Sequence, residues 1–212
     1  MKQHNHWKMS QFQKKIIKIV LWGFGLLLLF FTLILKKTLD FSIVSKVISF
    51  LSIVLGVILA LVEKKLWKTW IMRLPFFENY WTPVLEGRWE GSLERNGEFH
   101  DFAIEIVQSF TSISCVAYSN HSSSSAYATE ILYDDQLKVY KLIYYWHGAT
   151  TNTTEDNRDS DRFEGFTVLD IIVRSKKVDK LKGTYFTNRE PQQTKGNIIL
   201  SFKQKTLKKS FD

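Results

Sequence analysis

Two apolar runs near the start of the chain constrain what the rest can be. Ile19–Leu35 is 17 residues without a charge, and Phe41–Val62 is 22 residues interrupted only by Lys46. At about 1.5 Å of rise per residue, roughly 20 apolar residues cross a hydrocarbon core of about 30 Å. The two runs, parted by Lys36-Lys37-Thr38-Leu39-Asp40, therefore predict a transmembrane helical hairpin. Lys46 lies near one end of its run, where its stem can snorkel to the interface. A cleaved signal peptide is the rival for the first run, but no small-residue cleavage site follows it and a second apolar run does.

Charge supports this division. The chain has 212 residues and a formal net charge of +8. Residues 1–74 hold 12 Lys+Arg against 2 acids, a net +10, while residues 75–212 hold 17 against 19, a net −2. A basic excess confined to the first third argues against a globule that binds DNA or RNA. Lys2, Lys8, Lys14, Lys15 and Lys18 precede the first run, and Lys64, Lys65, Lys68 and Arg73 follow the second. The connecting turn has only Lys36 and Lys37, so the positive-inside rule predicts cytoplasmic N- and C-termini and a cytosolic 75–212. Trp67 and Trp70 read as an interfacial anchor. In the second run Ser52, Gly56 and Ala60 recur every four residues, a stripe on which helix backbones approach closely. It serves either packing against the first span or association between chains.

The expected organisation is a membrane region at 1–74, a linker at 75–84, a β domain at 85–205 and a basic tail at 206–212. Beyond Pro75 and Pro83 the periodicity changes from helical to two. Strands are predicted near Leu85–Arg95, Phe99–Gln108, Thr111–Ser119, Ala126–Asp134, Leu137–Trp146, Gly165–Arg174, Lys180–Asn188 and Gly196–Gln204. Eight strands joined mostly by short polar turns predict an up-and-down antiparallel β-barrel of the lipocalin or avidin kind. A two-sheet sandwich is the structural alternative.

Alternation assigns the faces. With Glu86, Arg88 and Glu90 outside, Leu85, Gly87, Trp89, Gly91 and Leu93 point in, and His100, Phe102, Ile104 and Ile106 do the same on the second strand. By the same logic Tyr127, Thr129, Ile131 and Tyr133 are interior, as are Tyr140, Leu142, Tyr144 and Trp146, and Leu181, Gly183, Tyr185 and Thr187. Such rings and hydroxyls suit a cavity that stacks a flat ligand and hydrogen-bonds its edge; tyrosines simply plugging the barrel are the plainer alternative. The long connections, Asn120–Ser125, His147–Glu164 and Arg189–Lys195, collect at the end away from the linker. Arg158, Arg162 and Arg189 are placed there, where guanidinium groups can hold phosphate. The candidate ligand residues are thus Trp89, Tyr127, Thr129, Tyr144, Trp146, Tyr185, Thr187, Arg158, Arg162 and Arg189.

Two spans followed by a barrel opening on Gly87-Arg88-Trp89-Glu90-Gly91, with Gly183-Thr-Tyr-Phe-Thr-Asn later, resemble the two-transmembrane, β-strand-rich effectors associated with cGAS/DncV-like nucleotidyltransferases in bacterial CBASS antiphage defence. The resemblance covers nearly the whole chain. It implies an inner-membrane protein functionally linked to a nucleotidyltransferase. Its cytosolic barrel would bind a cyclic di- or oligonucleotide, the helices would then assemble into a homo-oligomer in the lipid bilayer, and membrane damage would kill or arrest the cell. A membrane-tethered lipocalin-like binder of a lipid or hydrophobic metabolite is the alternative.

No enzymatic chemistry is expected. The chain lacks a Gly-x4-Gly-Lys-Ser/Thr loop, a His-Glu-x2-His pair and paired cysteines, and its five histidines are scattered. No metal or other cofactor is implied. Cys115, the single cysteine, reads as a small core residue.

Overall fold

The computed structural model describes residues 11–35, 41–69, 82–120, 122–150, 162–174, 177–188 and 193–211. It divides into two compact units, one containing residues 8–81 with 109–111 and the other the rest of the chain from Thr82.

Both apolar runs form helices, α1 (Gln11–Leu35) and α2 (Phe41–Leu61). A π turn at Val62–Leu66 carries α2 into α3 (Trp67–Thr69). Among the described residues one helix, Ser45–Thr69, is long and apolar enough to cross a membrane, with mean hydropathy 2.4; the apolar part of α1, Lys18–Leu33, is shorter. Ser52, Gly56 and Ala60 are all exposed, and a Cβ added at Gly56 would meet nothing within 4 Å. The stripe is therefore not covered by α1.

The π turn has its own polar anchor. Glu63 accepts hydrogen bonds from Ser109 Oγ, from Thr111 Oγ1 at 2.5 Å and from Thr111 N at 3.2 Å, while Phe110 N donates to Glu63 O at 2.9 Å. Trp67 is only 2% exposed and packs on Phe110 with ring centroids 6.2 Å apart. The Trp67 ring expected at the interface is thus packed against protein in this unit. Trp70 lies outside the described residues.

The β unit is a closed antiparallel meander, β1 (Gly87–Arg95), β2 (Glu98–Gln108), β3 (Ile113–Ser119), β4 (Ser122–Asp134), β5 (Val139–Thr150), β6 (Arg162–Arg174), β7 (Lys177–Thr187) and β8 (Lys195–Gln204), with β8 pairing back to β1. Closure removes the exposed edges that a sandwich would leave. Asn96-Gly97 makes the two-residue β1–β2 turn, both with positive φ (54° and 84°), as a primed turn requires. At Gly183 the neighbouring strand is so close that a Cβ would run into Val168 O, which explains a glycine at a wall position.

Burial grades along the barrel axis. The half nearer the linker is an aliphatic core of Leu85, Ile104, Ile106, Leu142, Leu169, Ile171, Leu181 and Leu200, closed by Trp89. Trp89 Nε1 donates to Leu85 O at 2.8 Å. Cys115 lies in this core, where burial pushes its thiol up to about 12. The folded protein should therefore resist alkylation at pH 8, because the thiolate is the reactive form. Mass spectrometry should detect one adduct only after denaturation, and rapid labelling of the native chain would contradict the packing.

The residues read as a basic tail pack on the outer wall of β1 and β2. Arg88 points outward as the alternation requires, yet it is only 1% exposed. Its Nη1 donates to Glu105 Oε1 at 2.9 Å and Ser210 O at 2.6 Å, its Nη2 to Phe211 O at 2.6 Å, and its Nε to Glu90 Oε1 at 2.7 Å. Glu105 also accepts from Lys208 N at 2.7 Å and Lys209 N at 3.2 Å. The alternation located this arginine correctly but does not reveal the segment that covers it.

Candidate functional site

Toward the end opposite the linker the aliphatic filling stops and a cavity of about 260 Å³ opens. It has aromatic walls. Trp146 and Phe163 meet edge to face with centroids 5.8 Å apart, and Tyr144 and Tyr185 line the same space. Neighbouring hydroxyls and carbonyls fix these rings: Trp146 Nε1 donates to Thr167 Oγ1 at 2.9 Å, and Tyr185 OH donates to Glu94 O at 3.1 Å. Thr187 Oγ1 and Thr194 Oγ1 are 2.7 Å apart, a hydrogen bond across the rim. Burial raises the Tyr144 and Tyr185 phenols, so both stay neutral hydrogen-bonding groups at physiological pH.

The mouth is polar. Arg95, His100, Asp101, Asn120, Ser122 and Ser124 line it. Arg95 lies close enough to Tyr185 for its charge to oppose the upward shift of that phenol. His100 Nε2 is 4.0 Å from Glu98 Oε2 on the exposed rim. The arrangement offers π faces for stacking, side-chain donors and acceptors for the edge of a flat ring, and a guanidinium for an anion.

Of the ligand residues expected from sequence, Tyr144, Trp146, Tyr185 and Thr187 line this cavity. Trp89 is interior but belongs to the core at the linker end, and Thr129 is buried beside Cys115 without reaching the cavity. Arg158 and Arg189 lie outside the described residues, as does the Arg162 side chain.

Tyr127 requires correction. The β4–β5 register shifts between Ala126 and Ala128, so Thr129 opposes Tyr144 while Ala126 opposes Trp146. One extra residue in β4 reverses the parity before it. Tyr127 is thereby placed on the outer wall, where it stacks on Tyr145 at 5.5 Å and meets His147 at 4.2 Å. Tyr145 OH in turn donates to Glu164.

Sequence reasoning passed over Arg95 and Ser124. Arg95 was legible, because the alternation that turns Leu93 inward continues to position 95. Ser124 was not, because it fell in a stretch read as loop, and only the bulge makes the even-numbered residues before it inward.

Among the described residues no group of three His, Cys, Asp or Glu could hold a metal ion. The architecture, a closed eight-stranded meander with a filled base and an aromatic cavity under a polar mouth, defines a small-ligand receptor. The sequence model described as Cap15, cyclic dinucleotide receptor domain, matches residues 80–202, and the chain belongs to that family of CBASS effectors. A comparison with curated proteins gives no match.

Proposed function

We propose that the barrel captures a cyclic dinucleotide in the cavity at its mouth and that binding favours assembly of the membrane helices between chains, with disruption of the bacterial inner membrane as the outcome. The observation that carries this reading is the cavity itself, with Trp146, Phe163, Tyr144 and Tyr185 around it and Arg95 at its rim. The rings would stack the nucleobases, Asp101, Asn120 and Ser124 would hydrogen-bond base edges, and Arg95 would pair with a phosphate. The acidic balance of 75–212 makes placed cations matter more than overall charge.

Gating requires that the ligand favour the assembled state by differential affinity; moving a 1:99 equilibrium to 99:1 takes about 5.5 kcal/mol. Confinement to a bilayer lowers the demand, because the chains are already concentrated there. The exposed Ser52, Gly56 and Ala60 stripe supports association between chains.

The test is calorimetric titration of the full chain in lipid nanodiscs with a panel of cyclic dinucleotides. One member should bind, and Arg95→Ala should weaken that binding about tenfold or more, the scale of a lost charge-assisted hydrogen bond. A folded chain that binds no member, or an Arg95→Ala chain with unchanged affinity, would refute this reading of the site.

A further inference from the structure

The cations of the barrel are unevenly compensated. At the end where β1 begins, β6 and β7 meet, and β8 leaves for the tail, some positive groups have acid partners and others have none. Arg88 pairs with Glu90 and Glu105, Lys203 with Glu90, Arg174 with Asp179, Lys138 with Asp135, and Lys141 with Asp134 and Asp170. Lys177, Lys205, Lys208 and Lys209 are exposed and have no carboxylate partner among the described residues. The mouth end differs, carrying Glu94, Glu98, Asp101 and Glu164 against Arg95 and Lys195. Among the described residues the charge of the barrel is therefore polarised along its axis.

These lysines are held in place. Hydrogen bonds from Lys208 N and Lys209 N to Glu105, and from Arg88 to the carbonyls of Ser210 and Phe211, fix the tail backbone against the wall. Lys209 is fixed with φ of 63°. A solvated basic tail would need none of this. The side chains of Lys208 and Lys209 consequently project from an anchored segment beside the end of β8.

We infer that this linker end of the barrel is a docking surface for anionic phospholipid head groups. A lysine near an anionic leaflet gains a favourable interaction that fades within a Debye length, so uncompensated lysines gathered at one end act together only against an extended anionic surface. A bilayer is the anionic surface within reach. Ser45–Thr69 is long and apolar enough to cross one, and residues 70–81 span at most roughly 40 Å when fully extended. Tethering therefore keeps this end at high effective concentration beside head groups. Docking by the linker end leaves the mouth of the cavity open to the aqueous side.

The experiment is residue-resolved lysine acylation of the full chain, read by mass spectrometry. The chain is incorporated in nanodiscs of phosphatidylcholine alone or of phosphatidylcholine with an equal part of phosphatidylglycerol. Labelling of Lys177, Lys205, Lys208 and Lys209 should fall about fivefold or more in the anionic discs and recover in about 0.5 M salt, while Lys195 at the mouth end stays unchanged. Equal labelling of the four lysines in both discs would overturn the proposal. So would protection that is the same in both discs and rises with the number of chains per disc, which would assign the surface to a second copy of the chain.

Discussion

Replacing Arg88 by alanine is expected to destabilise the barrel by about 3–5 kcal/mol, the scale for removing one partner of a buried ion pair. Arg88 is the hub of the outer wall, bonded to two carboxylates and to the last carbonyls of the tail. Without it Glu105 stays buried with no countercharge, and Ser210 O and Phe211 O lose their donor. Urea unfolding of residues 82–212, followed by fluorescence of Trp89 and Trp146, should show the midpoint fall with little change in slope. The double replacement Arg88→Met with Glu105→Leu should be less destabilising than Arg88→Ala alone, because no buried charge then remains. If the single change cost the same as the double, the buried carboxylate would not be the cause.

The same cluster sets an acid-side dependence. The hydrogen bond from Arg88, and then its charge, hold the Glu90 carboxyl below its usual 4.5 despite partial desolvation. A depressed folded-state value means the carboxylate stabilises the fold above the unfolded pKa, and this stability is lost as pH falls through the folded one. Arg88→Ala should lack that step, so its stability should change less with pH in the acid range.

What the sequence could reveal depended on which forces leave a periodic trace. Alternation of apolar residues reports which wall of a strand is wet, and that was enough for eight strands, their order in a meander and the inward set Leu85, Trp89, Ile104, Leu142 and Leu181. It fails where alternation carries no information. In Ser122–Ser125 four identical small residues fit either face, so the bulge beside Tyr127 could not be read, and the parity of Tyr127 was reversed. Nor does alternation show what covers a wall. The tail bonds Arg88 and Glu105 through backbone carbonyls and amides, which every residue possesses, so no side-chain pattern marks it. The grading of the interior from aliphatic base to aromatic mouth was in part visible as tyrosine and threonine on inward parity. Its boundary follows from which residues share a level of the barrel, and that depends on registers such as Tyr144↔Thr167 and Trp146↔Gly165.

Ser124→Trp should abolish ligand binding while leaving the barrel folded. Ser124 lines the cavity from β4 and faces Gly148 across the β4–β5 ladder, on the inward parity set by the bulge. An indole there would occupy much of a space of about 260 Å³, directly beside the Trp146 and Phe163 rings. The expected loss is about 100-fold or more in affinity, roughly 2.7 kcal/mol. Ser124 is half-buried and borders an open cavity rather than the filled core, so the indole enters existing space, and an aromatic residue suits a strand. Stability should therefore change by less than about 1 kcal/mol, a far smaller cost than overpacking the base would carry. Ser125→Trp, one residue on and directed to the outer wall, is the matched control and should bind like the parent. The pair separates the two readings of β4. If the register continued unshifted through Tyr127, Ser125 would face inward and the two outcomes would exchange, so calorimetry on both variants tests the bulge and the cavity together.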